Sequence, residues 1–306
     1  MRLVLDARTA AFGGLIDYAG LFPPASKLID EAVADYARLR SEDSRWIVGK
    51  FLCRASELEK LAAAAVRHMR RGDVPWEVGA IFDMGPGVAA MLVNDFQTEM
   101  SPALSVTSVE AKTPRPDGDA IATTVESIGA LDTDTAIFVE VVRGQSMGPQ
   151  IEAIAVNLRS RGLRGGAKLR CGGLTALDFP TVEEVTDFLW TATNEQLPFK
   201  ATAGLHQPIR HFDTDPDVWR HGFVNLLVAS VACNEGADTE TIGAIVAESD
   251  PGAFTVSAAA ARWRDVYLPG SAIRRSRRNG LIAYGSCDID EPISALADLN
   301  FLGGGT

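Results

Sequence analysis

Pro198-Phe199-Lys200-Ala201-Thr202-Ala203-Gly204-Leu205-His206 is a short, half-apolar run that carries one lysine and closes on glycine and polar residues. A buried strand that delivers a side chain to a site at its carboxyl end has this form. About thirty residues upstream stands a sister stretch, Gly166-Ala167-Lys168-Leu169-Arg170-Cys171-Gly172-Gly173. In each, the lysine lies four residues before a glycine, Lys168 before Gly172 and Lys200 before Gly204. An amphipathic helical stretch separates them. Thr181 is placed to cap it, with Glu184 in the box position.

Outward from this pair the same rhythm recurs. Apolar or β-branched runs at 15–20, 46–52, 76–83, 103–111 and 136–142 read as strands one to five. The run at 136–142 has the continuous β-branched character of a strand buried on both faces, as in a parallel sheet. The lysine stretches supply strands six and seven, and 281–286 supplies strand eight. Helical patterns fall between them at 28–39, 56–69, 88–100, 120–131, 150–161 and 181–194, and a last one starts at Asp290. Eight strand–helix alternations in 306 residues predict one α/β domain over 1–306, a (β/α)8 barrel of the TIM type. An open doubly wound sheet ranks second, because no G-x-G-x-x-G turn follows strand one. Between strands seven and eight the rhythm breaks. Three helical readings at 217–233, 238–248 and 254–268 predict a helical insertion over 211–280, placed as a cap over the site. Gly303-Gly304-Gly305 reads as a frayed tail.

The composition is ordinary for a globular chain, 46% hydrophobic and 23% charged. Forty acids against 29 bases give a net charge of −11. The expectation is a soluble protein with no general attraction to nucleic acid or to an anionic membrane. The arginine run 273–278 reads first as a solvated loop and second as a phosphate or partner site. Four scattered cysteines without a C-x-x-C pair, no apolar leader and no membrane-length apolar run lead to a reduced, cytoplasmic protein. A small-molecule substrate is the expected partner, and self-association into a homo-oligomer stays open.

A barrel collects its chemistry at the carboxyl ends of its strands. Those ends present Asp17, Lys50, Glu110, Glu140, Lys168 and Arg170, Lys200 and Thr202, and Gly285-Ser286. Alternation puts Lys168 and Arg170 on one face of their strand, and likewise Lys200 and Thr202 on one face of theirs. On adjacent strands the two amines would lie roughly 5–7 Å apart and repel by about 3 kcal/mol at an effective dielectric near 20. That is enough to depress one lysine well below its usual range and leave a neutral amine, as a Schiff-base nucleophile requires. The opposing reading pairs each lysine with a carboxylate, Glu140 or Glu110, which would hold both charged and unreactive. His206, with His211 and His221 close behind it, is read as an acid–base at the mouth or as a loop residue bonded to backbone. Arg170, Arg210 and the Gly285-Ser286 turn are candidate anion binders. No metal or other cofactor is expected, because the histidine spacing matches no metal motif.

These motifs resemble the class I, Schiff-base aldolases, most nearly the deoxyribose-phosphate aldolase family. That family has a K-x-x-x-G lysine on strand six, a K-A-[ST]-x-G lysine on strand seven and a G-x-S phosphate loop after strand eight. The matching residues are Lys168 with Gly172, the run 200–204, and Gly285-Ser286-Cys287. The resemblance implies a barrel lyase that makes or breaks a carbon–carbon bond on a small carboxylated or phosphorylated substrate. Lys168 would be the nucleophile and Lys200 the perturbing charge, or the reverse, with Glu110 or Glu140 moving the proton. The chain departs from the family at Arg170-Cys171, where small hydroxyl residues are usual, in its long segment between strands seven and eight, and in a glutamate acid where the family uses aspartate. Two other readings accompany this one. One is a non-covalent or metal-assisted isomerase or lyase; the other is a non-catalytic, partner-binding barrel.

Overall fold

The computed structural model describes residues 6–70, 73–129, 131, 135–144, 146–215 and 217–303. Seven strands come first: β1 (Ile16–Tyr18), β2 (Val48–Arg54), β3 (Trp76–Ile81), β4 (Leu104–Lys112), β5 (Ala136–Glu140), β6 (Gly165–Arg170) and β7 (Phe199–Thr202). A hairpin, β8 (His211–Thr214) and β9 (Asp217–Arg220), follows, then a small sheet of β10 (Phe254–Val256), β11 (Ala260–Trp263) and β12 (Val266–Pro269). β13 (Leu281–Ser286) closes the barrel. The closed order is β1-β13-β7-β6-β5-β4-β3-β2, and every neighbouring pair is parallel. The (β/α)8 barrel expected from the strand–helix rhythm is therefore the observed fold.

The helices are α1 (Ala7–Phe12), α2 (Ile29–Leu39), α3 (Leu58–Ala65), α4 (Pro86–Met100), α5 (Gly118–Ile128), α6 (Gly148–Ser160), α7 (Val182–Asn194), α8 (Phe223–Asn234), α9 (Thr239–Ala247), α10 (Gly270–Asn279) and α11 (Asp290–Asp298). α7 starts on the capping box at Thr181 and Glu184. α1, ahead of the first strand, has no apolar period to announce it. Its cap is Asp6, whose carboxylate accepts the Arg8 amide at 2.8 Å.

Packing fixes the register of the early strands. Tyr18, Tyr36, Phe51 and Trp76 form one aromatic cluster between β1–β3 and α2, with ring centroids 4.9–5.8 Å apart. The Tyr36 hydroxyl donates to the Gly49 carbonyl at 2.8 Å, so α2 is held at one height on β2.

The segment between β7 and β13 differs from the expected helical cap. Residues 217–220 form a strand, and α8 begins only after Gly222. Alternating exposure along β8 and β9, together with the Phe212–Trp219 ring pair, favours a hairpin over a helical turn. Residues 254–268 are an antiparallel sheet, not a helix. The alanine run 258–261 suggests a helix by propensity, but Phe254, Val256, Ala261 and Leu268 bury at strand spacing, and packing overrides propensity. α8 packs on α7, α9, α10 and β13, and the small sheet packs on α1, α8 and α10. Most of the insertion thus thickens the barrel flank instead of covering its mouth. The arginine run is not a loop but lies on α10. Arg277 donates to the carbonyls of Ile282 at 2.6 Å and Gly13 at 2.8 Å, sealing the floor of the barrel beside β1 and β13. Of the glycine tail, Gly304 and Gly305 lie outside the described residues.

Candidate active site

The twin lysine motifs have a structural cause. β6 and β7 leave the barrel side by side, and the glycines that end them touch. A Cβ on Gly172 would lie 2.9 Å from the Gly204 Cα, and one on Gly204 would lie 2.7 Å from the Cys171 carbonyl oxygen. Gly204 also has φ +69°, where a side chain is strained. At the other end of β6, a Cβ on Gly166 would meet the Pro198 carbonyl oxygen at 1.8 Å. Glycines at both ends let the two strands close up and set Lys168 directly opposite Lys200 in the ladder.

Both lysines point into the lumen and are buried, 4% and 2% exposed. They do not face each other as bare charges. Glu110 reaches across from β4, and its two oxygens divide between them: one lies 2.8 Å from the Lys168 Nζ, and the other accepts from the Lys200 Nζ. Lys200 also meets Asp17 at 2.7 Å, and Lys168 meets Glu140 at 3.1 Å. Glu140 in turn takes the Arg170 Nε at 3.1 Å and lies 3.5 Å from the Lys112 Nζ. The result is an alternating line of charge through the lumen: Asp17, Lys200, Glu110, Lys168, Glu140, Arg170.

This line overturns the expected electrostatics. Burial alone would lower Lys168, but Glu110 and Glu140 outweigh it and hold the ammonium above its usual range. The same contest, with Asp17 and Glu110, raises Lys200. Burial would raise Glu110, yet Lys168 and Lys200 hold it well below the carboxylate range. Glu140 falls to about 2, because Lys168 and Arg170 override its burial. The repulsion expected between two ammonium groups is thus replaced by a shared carboxylate, and both lysines rest charged. Lys50, on β2, makes no ion pair among the described residues. Burial depresses its ammonium, and only Asp17, Glu77 and Glu110 partly offset this.

The line emerges at one side of the mouth. Lys112, Glu140, Arg170, Arg143 and Glu184 line a cleft of about 480 Å³ over the ends of β4–β6. Arg143 is committed, donating to the Phe179 carbonyl and to Glu184, each at 3.0 Å. Within the line, Lys200, Lys168 and Arg170 balance Asp17, Glu110 and Glu140. At the opening, Lys112, Arg143 and Arg170 stand against Glu140, Asp178 and Glu184. Thr202 and Gly285 face the lumen one step above the lysines, where a Cβ on Gly285 would stand 3.5 Å from the Thr202 hydroxyl. Gly285 keeps that level open.

Three sequence candidates, Ser286, His206 and Arg210, lie outside the charge line, and Lys50 stands beside it. The Ser286 hydroxyl donates to the Asp288 carbonyl and serves the turn. The Asp17 carboxylate, besides Lys200, accepts the Lys50 amide at 2.8 Å, so Lys50 is fixed to the lumen wall by its backbone. His206 and Arg210 line a separate cleft, between the β7 loop and α11. Arg210 stacks on Trp219 at 4.1 Å and donates to the Ala247 carbonyl. His211 lines the same cleft as His206 and bonds to the Ile209 carbonyl, whereas His221 is buried apart from them against the Pro180 carbonyl. Among the described residues, no group of three or more His, Cys, Asp or Glu side chains is placed to hold a metal ion.

Also among the described residues, no helix is long and apolar enough to cross a membrane. The (β/α)8 barrel commonly carries enzymes whose sites lie at the face where this cleft opens. No protein-family model matches the chain, and no curated protein matches it.

Proposed function

We propose that the barrel is a lyase of the aldolase type, making or breaking a carbon–carbon bond on a small carboxylated or phosphorylated carbonyl compound through a Schiff base on Lys168. One observation carries this reading. Lys168 lies between two carboxylates, and one of them, Glu140, lines the open cleft. Lys200 is held deeper, by Asp17 and Glu110. The resemblance to Schiff-base aldolases gives the same lysine the same role.

The resting ammonium is not a nucleophile, so the proton must leave first. A carbonyl compound entering the cleft sets its anionic group between the Arg170 and Lys112 side chains. Lys168 gives up its proton to solvent at the cleft, since Glu140 is too acidic to keep it, and the free amine adds to the carbonyl carbon. A proton passes from the nitrogen to the carbinolamine oxygen, which departs as water with a second proton taken from solvent at the cleft, and a protonated imine remains. That cation accepts the electron pair of the breaking carbon–carbon bond, while the departing hydroxyl gives its proton to a carboxylate. Lys200 keeps Glu110 ionised throughout, so Glu110 balances the imine charge.

A second reading draws on the completeness of the pairing. With both lysines charged, the lumen suits non-covalent acid–base chemistry in which the ammonium groups fix Glu110 and Glu140. One experiment separates the two. The protein is incubated with a panel of small aldehydes and 2-keto acids, reduced with borohydride and mapped by peptide mass. A stable adduct on Lys168, lost in Lys168→Arg, is the expected result. A folded protein that gives no adduct across the panel overturns the covalent reading in favour of the second.

A further inference from the structure

Beside the cleft at α11 stands a second arrangement of reactive groups, two of which, His206 and Glu291, line it while Cys287 adjoins it through His206. Cys287 follows β13 directly and is 7% exposed. Its Sγ lies 3.9 Å from the Nε2 of His206, within the range of a sulfur hydrogen bond. The Nδ1 of the same ring lies 3.2 Å from a Glu291 oxygen. The other Glu291 oxygen accepts from the Gln207 side chain at 2.7 Å, so the carboxylate is held on both sides. An acceptor at Nδ1 fixes the tautomer. The proton sits on Nδ1, and the Nε2 lone pair faces the thiol. His206 and Glu291 line a cleft of about 890 Å³.

We propose that Cys287, His206 and Glu291 form a second catalytic centre, separate from the lumen lysines, in which the thiol attacks an activated acyl carbon such as that of an ester or thioester. The roles follow from position: nucleophile, base, and the carboxylate that orients the base. His206 Nε2 takes the thiol proton as the sulfur–carbon bond forms and the carbonyl electrons move to oxygen. The tetrahedral species collapses, the alcohol or thiol leaving group departs with the proton from His206, and an acyl-thioester remains on Cys287. Water then attacks by the same route, His206 taking its proton and returning it to the thiolate. No oxidant or reductant is needed.

The other three cysteines provide the contrast. Cys53, Cys171 and Cys233 are buried among apolar groups that push their thiols up, Cys171 to about 12. Burial is common to all four. Cys287 alone is in contact with an imidazole, and that contact is the leading influence raising the imidazolium of His206.

The test uses the whole chain and p-nitrophenyl acetate at pH 7. The expected result is a burst of one p-nitrophenolate per chain, with the acetyl group mapped to Cys287. His206→Gln slows the burst about 100-fold and Glu291→Gln about 10-fold, with circular dichroism showing each variant folded. Iodoacetamide gives an independent reading. Cys287 labels at least tenfold faster than the other three cysteines, and His206→Gln removes that preference. Acetyl groups on surface lysines with Cys287 unmodified, or a wild-type burst in folded His206→Gln, would overturn the proposal. The acetyl label reports Cys287 and the borohydride label reports Lys168, so the two sites succeed or fail separately.

Discussion

The lumen and the rim of this barrel handle charge in opposite ways. In the lumen, every ionised group of the alternating line from Asp17 to Arg170 has a partner of opposite sign, and four of those groups are under 5% exposed. At the rim, His206 and Glu291 face an open cleft, with side chains 22% and 45% exposed, and the thiol makes a single long contact. A buried line of charge is rigid and intolerant of deletion, because removing one member strands its neighbours in a low dielectric. A half-open triad has little structural role and can be altered cheaply. Substitutions should therefore act on stability in the lumen and on reactivity at the rim.

The largest effect should come from Lys200→Met, which leaves Asp17 and Glu110 buried without their shared cation. A loss of about 3–5 kcal/mol is expected from the shift of the denaturant midpoint. A loss below 1 kcal/mol would mean that the lumen charges are solvated. Next is acid sensitivity. His221 is neutral in the folded chain, pushed down to about 4 chiefly by burial. An unfolded histidine takes up a proton near pH 6.5, and the folded one does not until about pH 4. Stability should therefore fall as the pH drops through that window, by up to about 3 kcal/mol. His221→Gln, which retains an amide donor for the Pro180 carbonyl, should flatten the curve there. Glu110 and Glu140, held low by their lysines, add a further loss on acidification below their unfolded range.

Gly204→Ala comes third. It forces a side chain into φ +69° and against the Cys171 carbonyl, at an expected cost of about 1–3 kcal/mol by thermal melting. Smallest is Glu291→Gln, expected to change stability by under 1 kcal/mol while slowing acylation of Cys287. A reversed order, with Glu291→Gln more destabilising than Lys200→Met, would break the contrast between the two regions.

Much of the barrel was legible because parallel strands buried on both faces announce themselves as apolar, β-branched runs, and 136–142 is the clearest. The paired lysines were legible too, since charge inside an apolar strand is costly and draws notice. Their electrostatics were not. Nothing local to Lys168 or Lys200 shows that Glu110, on the far wall, would share its two oxygens between them. The glycines after each lysine also had a reason invisible in one dimension, the contact between Gly172 and Gly204. The insertion misled for another reason: alanine-rich 258–261 has helical propensity, while its packing against α1, α8 and α10 selects a sheet. Cys287 and His206 are 81 residues apart and share no motif, so their contact comes only from the closure of β13 against β7.

In the proposed function, Lys168 rests as an ammonium and reacts only after losing its proton towards the cleft. The most direct test is the rate of adduct formation at Lys168 against pH, using a carbonyl compound from the trapping panel and quenching with borohydride at intervals. The Lys168 peptide is expected to label about tenfold faster for each pH unit between 7 and 9, as the free-amine fraction grows. A flat rate over that range, or adducts on Lys200 with Lys168 untouched, would contradict it.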